Sequence, residues 1–181
     1  MDPIQNKIIT IAGFPWSWKT ILSVFFSYFY DRIYANFQIK KNNKNYNTFY
    51  DDVSYLETIS FEKTKWLIII DEGWLNANSR RSMSNRNLMF GKLIFLSRKK
   101  NCDLVVIWQI EESIDCYFRK LSSYVFLMSS YQFWKKIYFE WSIKKQSAFG
   151  YSDIWIRRFD LIKFLKKYNM SYSTLESSVM S

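Results

Sequence analysis

Gly13-Phe14-Pro15-Trp16-Ser17-Trp18-Lys19-Thr20 is the stretch from which the rest of this chain is read. A glycine, four residues, one further position and then Lys-Thr form the frame of a phosphate-binding loop. In such a loop backbone N–H groups cradle phosphate oxygens, the lysine reaches the terminal phosphates, and the hydroxyl meets a metal ion. The frame calls for a second glycine just before the lysine, and Trp18 stands there. Glycine permits positive φ and a close approach of backbone to phosphate. A bulky residue held in left-handed geometry costs roughly 1–2 kcal/mol. Two outcomes are therefore open: a loop that binds in an altered way, or a distorted loop whose site is impaired.

The flanks set this loop between a strand and a helix. Lys7 to Ala12 (KIITIA) is a short β-branched run that predicts a buried strand ending at Gly13. Lys19 to Arg32 is apolar nearly all round and predicts a helix packed on a sheet. Further along, Tyr34 to Ile39 reads as a second strand and the Asn-rich Lys40 to Asn47 as a surface loop. Asp51 to Ile59 reads as a short helix with Asp51 or Asp52 near its N-cap. Trp66 to Asp71 (WLIIID) is continuously apolar, as a central parallel strand covered on both faces should be.

The second half continues the alternation. Asn76 to Asn87 is polar and basic, a loop leading into a helix from about Asn85 to Lys100. Asp103 to Trp108 (DLVVIW) is another buried strand, with Gln109 at its end. Glu111 to Leu121 reads as helical and Tyr124 to Met128 as a fifth strand. Phe133 to Lys145 alternates aromatics and lysines, which predicts a hairpin or edge strands; Phe159 to Tyr168 predicts a closing amphipathic helix. The Ser-rich tail from Ser171 is expected to be loose. One α/β domain over residues 1–181 results, with a core of about residues 7–130 and a C-terminal extension over 131–170.

Composition fits that picture. The chain has 181 residues, 49% of them hydrophobic, enough to bury a core and too many for a disordered chain. Only 4 glycines and 2 prolines leave few tight turns. Lys and Arg number 26 against 16 Asp and Glu, a net charge of +10, which suits a polyanion binder or, equally, a solvated basic surface. The absence of histidine excludes His-based triads and His metal sites. Cys102 and Cys116 fit neither a metal spacing nor a disulfide framework and read as intracellular thiols. The run Ile21 to Tyr30 is broken by Ser23 and Ser27 and is too short to span a bilayer. Met1-Asp2-Pro3 lacks the basic leader of a signal peptide, so the expected setting is inside a cell, without a membrane span.

Hydrolysis of a nucleotide needs a phosphate cradle, a metal held by a hydroxyl and a carboxylate, a group that orients water, and a cation for the transition state. Lys19 would reach the β- and γ-phosphates, and Thr20 and Asp71 would hold Mg²⁺. Glu72 would polarise the attacking water, and Gln109 would sense the γ-phosphate or orient that water. Asp71-Glu72 falls at the C-terminal end of a strand, where open α/β sheets place their chemistry. Each feature is weak alone, since a strand ending in Asp-Glu is more often just solvated. The ordered set is far more specific.

That ordered set resembles the additional-strand (ASCE) P-loop ATPases, in particular the FtsK–HerA branch with its zonula occludens toxin-like and viral genome-packaging ATPases. The residues carrying the likeness are Gly13 to Thr20, Tyr34-Ala35-Asn36-Phe37, Ile68-Ile69-Ile70-Asp71-Glu72 and Ser79-Arg80, then Leu96 to Lys100, Asp103 to Gln109, Ile114-Asp115 and Arg119. Trp16 and Trp18 depart from it, standing where that family usually has glycines. The resemblance spans about residues 7–130 and implies a RecA-like three-layer sandwich with a mostly parallel sheet, to which the C-terminal β-hairpin and helix read from the residue pattern are added. It implies ATP and Mg²⁺ as cofactors, with Gly13, Phe14, Pro15, Trp16, Ser17, Trp18, Lys19 and Thr20 around the nucleotide. It also implies a homo-oligomeric ring, a pentamer or hexamer, moving double-stranded DNA into a virion in the host cytoplasm, with capsid or membrane-vertex proteins as further partners. An arginine finger in trans is part of that picture, with Arg119 and Arg98 as candidates. Arg80, Arg81 and Arg86 are candidate DNA or subunit contacts, and a solvated basic face is the plain alternative for all five. Two rival readings stand beside the motor: a scaffold or DNA- or capsid-binding module that has lost hydrolysis, and an assembly or export factor of the zonula occludens toxin kind.

Overall fold

The run IITIAG forms strand β1, Ile8–Gly13, and its alternation shows why the sheet is covered on both sides. Ile8 and Ala12 enter one buried cluster with Ile68, Ile70, Leu104 and Val106. Ile9 and Ile11 enter another with Leu67, Ile69, Val105 and Ile107. Each fully buried Ile or Leu contributes roughly 1.5–3 kcal/mol, so neither face of these strands is stable without a layer against it. The structure is a computed structural model that describes residues 7–14, 18–50, 53–59, 65–71, 83–109, 121–133, 136–147, 150–158, 163 and 166–173.

Helix α1, Lys19–Ser27, follows the loop and covers the second face with Ile21, Leu22 and Val24. Its buried hydroxyls are satisfied along the helix, Ser23 donating to the Thr20 carbonyl and Ser27 to the Val24 carbonyl, each at 2.7 Å. The helix was expected to run to Arg32 and stops sooner. The N–H groups of Phe29 and Tyr30 bond three residues back, at 3.0 and 3.2 Å, tightening the last turn. Arg32 instead opens strand β2, Arg32–Ala35, paired in parallel with Trp66. The expected strand from Tyr34 to Ile39 is likewise divided. Strand β3, Gln38–Lys41, belongs to another sheet, because the Asn36 side chain is committed elsewhere.

The expected surface loop from Lys40 to Asn47 is largely a hairpin. Strand β4, Lys44–Asn45, returns antiparallel to β3 through Asn42 and Asn43, whose φ values of 53° and 60° suit a two-residue turn that asparagine tolerates. Asn47 completes it with its side chain, accepting the Ile39 N–H at 2.7 Å and donating to the Phe37 carbonyl at 2.9 Å. Strand β5, Thr48–Phe49, and helix α2, Val53–Thr58, follow. Strand β6, Trp66–Asp71, lies as expected in the middle of the sheet. Helix α3, Met83–Lys99, begins two residues before the expected Asn85, and with α2 it covers the first face through Leu56, Leu93, Ile94 and Leu96. The Lys100 ammonium donates to the carbonyls of Glu57 (3.0 Å) and Ile59 just past α2, a favourable place for a cation.

Strand β7, Asp103–Trp108, is buried along its whole length. Strand β8, Tyr124–Phe133, is longer than the expected Tyr124 to Met128. With β9, Lys136–Ser147, and β10, Gly150–Arg158, it makes an antiparallel extension on the edge of the sheet, realising the predicted hairpin with one strand more. The eight strands run in the order β10-β9-β8-β1-β7-β6-β2-β5, with every pairing from β8 to β5 parallel. The Ser-rich tail is not loose at its start. Strand β11, Met170–Ser173, pairs antiparallel with β3, and Met170 is buried against the second core. The loop from Asn76 to 82, the Glu111 to 120 segment, much of the closing helix and residues beyond Ser173 lie outside the described residues. No helix among the described residues is long and apolar enough to cross a membrane.

Candidate functional site

The C-terminal ends of the parallel strands bring together residues remote in sequence. Strand β7 lies between β1 and β6, with Ala12 level with Trp108 and Asp71 level with Ile107. Gly13, Gln109 and Asp71 therefore end three adjacent strands at one edge. The first turn of α1 crosses above them, and the Thr20 hydroxyl donates to Asp71 Oδ2 at 2.9 Å. This is the meeting of hydroxyl and carboxylate that the sequence predicts, made across 51 residues.

Trp18 occupies the position of the missing glycine and keeps the glycine's conformation. Its φ of 58° and ψ of 34° are left-handed, and it serves as the N-cap of α1 without a side-chain capping bond. The residue is 40% exposed, so it is kept at the surface rather than packed in the core. The first turn of α1 carries no acidic residue, leaving its backbone N–H groups and the positive end of the helix dipole in a field that favours an anion. Lys19 is buried, and its ammonium is engaged by the loop itself, donating to the carbonyls of Gly13 at 3.1 Å and Phe14 at 2.8 Å. Phe14 is 75% exposed beside it.

Asp71 is held from behind. Asn36, just beyond β2, donates its amide to the Asp71 carbonyl at 2.9 Å and accepts the Asp71 N–H at 2.8 Å. The amide thus acts as an added strand residue, fixing the backbone that carries the carboxylate. Tyr50 braces the same strand, its buried hydroxyl donating to the Ile69 carbonyl at 2.9 Å, and burial pushes its phenol well above the usual range. Neither residue had an assigned role in the sequence reading. The signal for Asn36 was a single polar residue directly after an apolar run, and the register of β2 on β6 brings it to within one position of Asp71.

The remaining candidates fall into two groups. Gln109 is half-buried at the end of β7, between the loop strand and Asp71. Arg98 is exposed in the last turn of α3, which leads to the opposite end of β7, so within one chain it is not brought to the loop. Pro15, Trp16, Ser17, Glu72, Arg80, Arg81 and Arg119 lie outside the described residues, and Arg86 is described only as part of the α3 backbone. Hard oxygen ligands from one hydroxyl and one carboxylate are the set Mg²⁺ takes alongside substrate phosphates. Thr20 and Asp71 fit it. Among the described residues no group of three or more Cys, Asp or Glu side chains offers an all-protein metal cage.

Far from this edge, Asp103 begins β7 and accepts the Lys7 N–H and the Tyr30 hydroxyl, each at 2.7 Å. Burial raises both the Asp103 carboxyl and the Tyr30 phenol above their usual ranges, the latter helped by the Asp103 charge. The neighbouring Cys102 thiol is pushed up to about 12, first by burial and then by Asp103. These groups brace the opposite end of the sheet.

Comparison with known proteins agrees with the architecture. No protein-family model and no curated protein sequence matches the chain. Among solved structures, a KaiC-like protein from Pyrococcus horikoshii OT3 is similar with a TM-score of 0.59 at 9% identity, over 86% of this chain and 86% of that one. The RadB recombinase gives a TM-score of 0.57 at 10% identity, over 86% and 87%. The N-terminal domain of zonular occludens toxin from Neisseria meningitidis reaches 17% identity over 95% of each chain, with a TM-score of 0.48, too low to assign a topology. The strand order, the loop and the similarities to the KaiC-like protein and the RadB recombinase define a RecA-like P-loop NTPase fold.

Proposed function

We propose that this protein is a Mg²⁺-dependent ATPase of the additional-strand class that works as a nucleic-acid motor. The observation that carries the reading is the 2.9 Å bond from Thr20 to Asp71, made with β7 inserted between the loop strand and β6. When ATP binds, Lys19 exchanges the Gly13 and Phe14 carbonyls for phosphate oxygens, and the positive N-terminal end of α1 draws in others. The Thr20 hydroxyl and the Asp71 carboxylate, already paired and steadied by Asn36, are the groups that would hold the metal. Mg²⁺, when bound, supplies counter-charge to the phosphate oxygens. Glu72 accepts a proton from the attacking water and Gln109 orients it.

The polymer is proposed to be double-stranded DNA, moved by a ring of copies into a virus particle. Its support is the net charge of +10 and the resemblance of the motif set to genome-packaging ATPases. The deciding experiment measures ATP turnover with and without duplex DNA for the wild type and Glu72→Gln. Turnover stimulated by DNA and reduced by roughly two orders of magnitude or more in the variant is expected. Absence of ATP binding in both the folded wild type and a Trp16→Gly/Trp18→Gly version would sink the proposal.

One observation favours a second reading, a scaffold that no longer hydrolyses ATP. Lys19 is already satisfied by two carbonyls of its own loop. On that reading Lys19→Ala leaves DNA or capsid binding untouched and no turnover is seen at any DNA concentration.

A further inference from the structure

The second sheet carries a feature that the nucleotide site does not use. At the tip of its hairpin, Lys41 and Lys44 stand directly opposite each other across β3 and β4, a like-charge pair that costs stability in a sheet. The Lys41 ammonium sits over the rings of Tyr28 and Tyr46, 4.8 and 5.0 Å from their centroids. Tyr28 in turn packs on Tyr168 at 4.4 Å, and Lys167 lies 5.3 Å over that ring. Lys40, Lys44, Lys166 and Lys167 are exposed. Asn42 and Asn169, both left-handed with φ of 53° and 48°, join the two segments across 127 residues. The Asn42 N–H donates to the Asn169 carbonyl at 3.0 Å, and the Asn169 amide donates to Asn42 Oδ1 at 3.3 Å. Asp31 is the acid whose charge is felt at Tyr46, and its carboxylate accepts the Lys65 N–H.

We propose that this lysine and tyrosine patch is a binding surface for the phosphate backbone of duplex nucleic acid, at the end of α1 opposite the phosphate loop. The proposal deepens the motor reading and rests on it. A polyanion is the partner that relieves the Lys41–Lys44 repulsion. Stacking on Tyr28 and Tyr46 holds the Lys41 ammonium in place beforehand, so less side-chain freedom is lost on contact. The rings are turned to one another and to lysine, leaving ammonium and amide groups as the contact surface, which suits sequence-independent phosphate contacts. A membrane surface would ask for a continuous apolar face, and the exposed apolar side chain here is Phe29 alone beside Tyr28, among the described residues.

The test is anisotropy of a labelled duplex of arbitrary sequence, titrated with the full chain between about 50 and 200 mM salt. Lys41→Ala/Lys44→Ala and Lys166→Ala/Lys167→Ala should each weaken binding and reduce the salt slope by about two, while DNA-free ATP turnover stays at the wild-type rate. Lys92→Ala/Lys99→Ala, a charge-matched pair exposed on α3, should change the slope far less. Equal losses in the α3 pair would overturn the proposal, since net charge would then explain binding. So would patch-dependent capture by phosphatidylserine vesicles with no effect on duplex binding. If the wild type binds duplex and shows DNA-stimulated turnover but the patch variants match it, the surface is wrong and the motor stands. If the wild type binds no duplex, both fall. Thermal melts of each variant exclude misfolding as the cause.

Discussion

Trp18 is where this protein departs furthest from the chemistry its loop suggests. The backbone there is what a glycine would adopt, φ 58°, so the departure lies in the side chain and in the strain. Trp18→Gly and Trp18→Ala both delete the ring, but only the glycine variant relieves the left-handed geometry. Chemical denaturation should find the glycine variant more stable than the alanine one by about 1 kcal/mol; equal stabilities would show that the strain is absent in solution. Cys102 gives a second residue-scale expectation. Its thiol is pushed up to about 12 from an ordinary value of 9.0, so its contribution to stability is complete below pH 9. As pH climbs from 9 toward 12 the unfolded chain releases this proton and the folded one does not, so stability falls. Tyr30 and Tyr50, also raised by burial, add to the loss at the alkaline end. Cys102→Ser should flatten the fall measured by denaturant titrations across that range, and an unchanged slope would count against the burial argument.

At the scale of elements, the weak joint is the seam between β2 and β6 where both strands run out of ladder. The Asn36 amide closes it with two hydrogen bonds to the Asp71 backbone. Removing both should cost about 1–3 kcal/mol, because the Asp71 N–H and carbonyl lose their partners in a half-buried place. Asn36→Ala is therefore expected to lower the denaturation midpoint and to raise the Mg²⁺ concentration needed for half-maximal nucleotide binding. Asn36→Asp keeps the acceptor and should recover part of the stability. A loss of stability with unaltered Mg²⁺ dependence would mean that Asn36 staples strands without positioning the carboxylate.

Across the whole molecule, the nucleotide is expected to act as a brace. Its site joins the loop after β1, the start of α1 and the end of β6, elements that separate on unfolding. A ligand bound only by the folded state adds RT ln(1 + [L]/Kd), about 2.7 kcal/mol at a hundredfold excess over Kd. Melting with ATP and Mg²⁺ should therefore shift the transition upward by several degrees, and Thr20→Ala or Asp71→Asn should abolish the part that depends on Mg²⁺. An equal shift in those variants would place the nucleotide elsewhere.

Much of this was legible along the chain because local pattern is enough to specify it. Unbroken apolar runs such as WLIIID and DLVVIW can be stable only as covered parallel strands, and the residues ending them fall at the sheet edge whatever the details. The boundaries that moved were those set by distant partners. Arg32 joined a strand because Trp66 pairs with it, Asn36 ended a strand because Asp71 takes its amide, and Ser171 was ordered because β3 offered an open edge. The insertion of β7 between β1 and β6 and the left-handed Trp18 also lie beyond periodicity. Strand neighbours and backbone torsions follow from contacts between residues far apart in the chain, and a pattern read over a few residues carries no term for them.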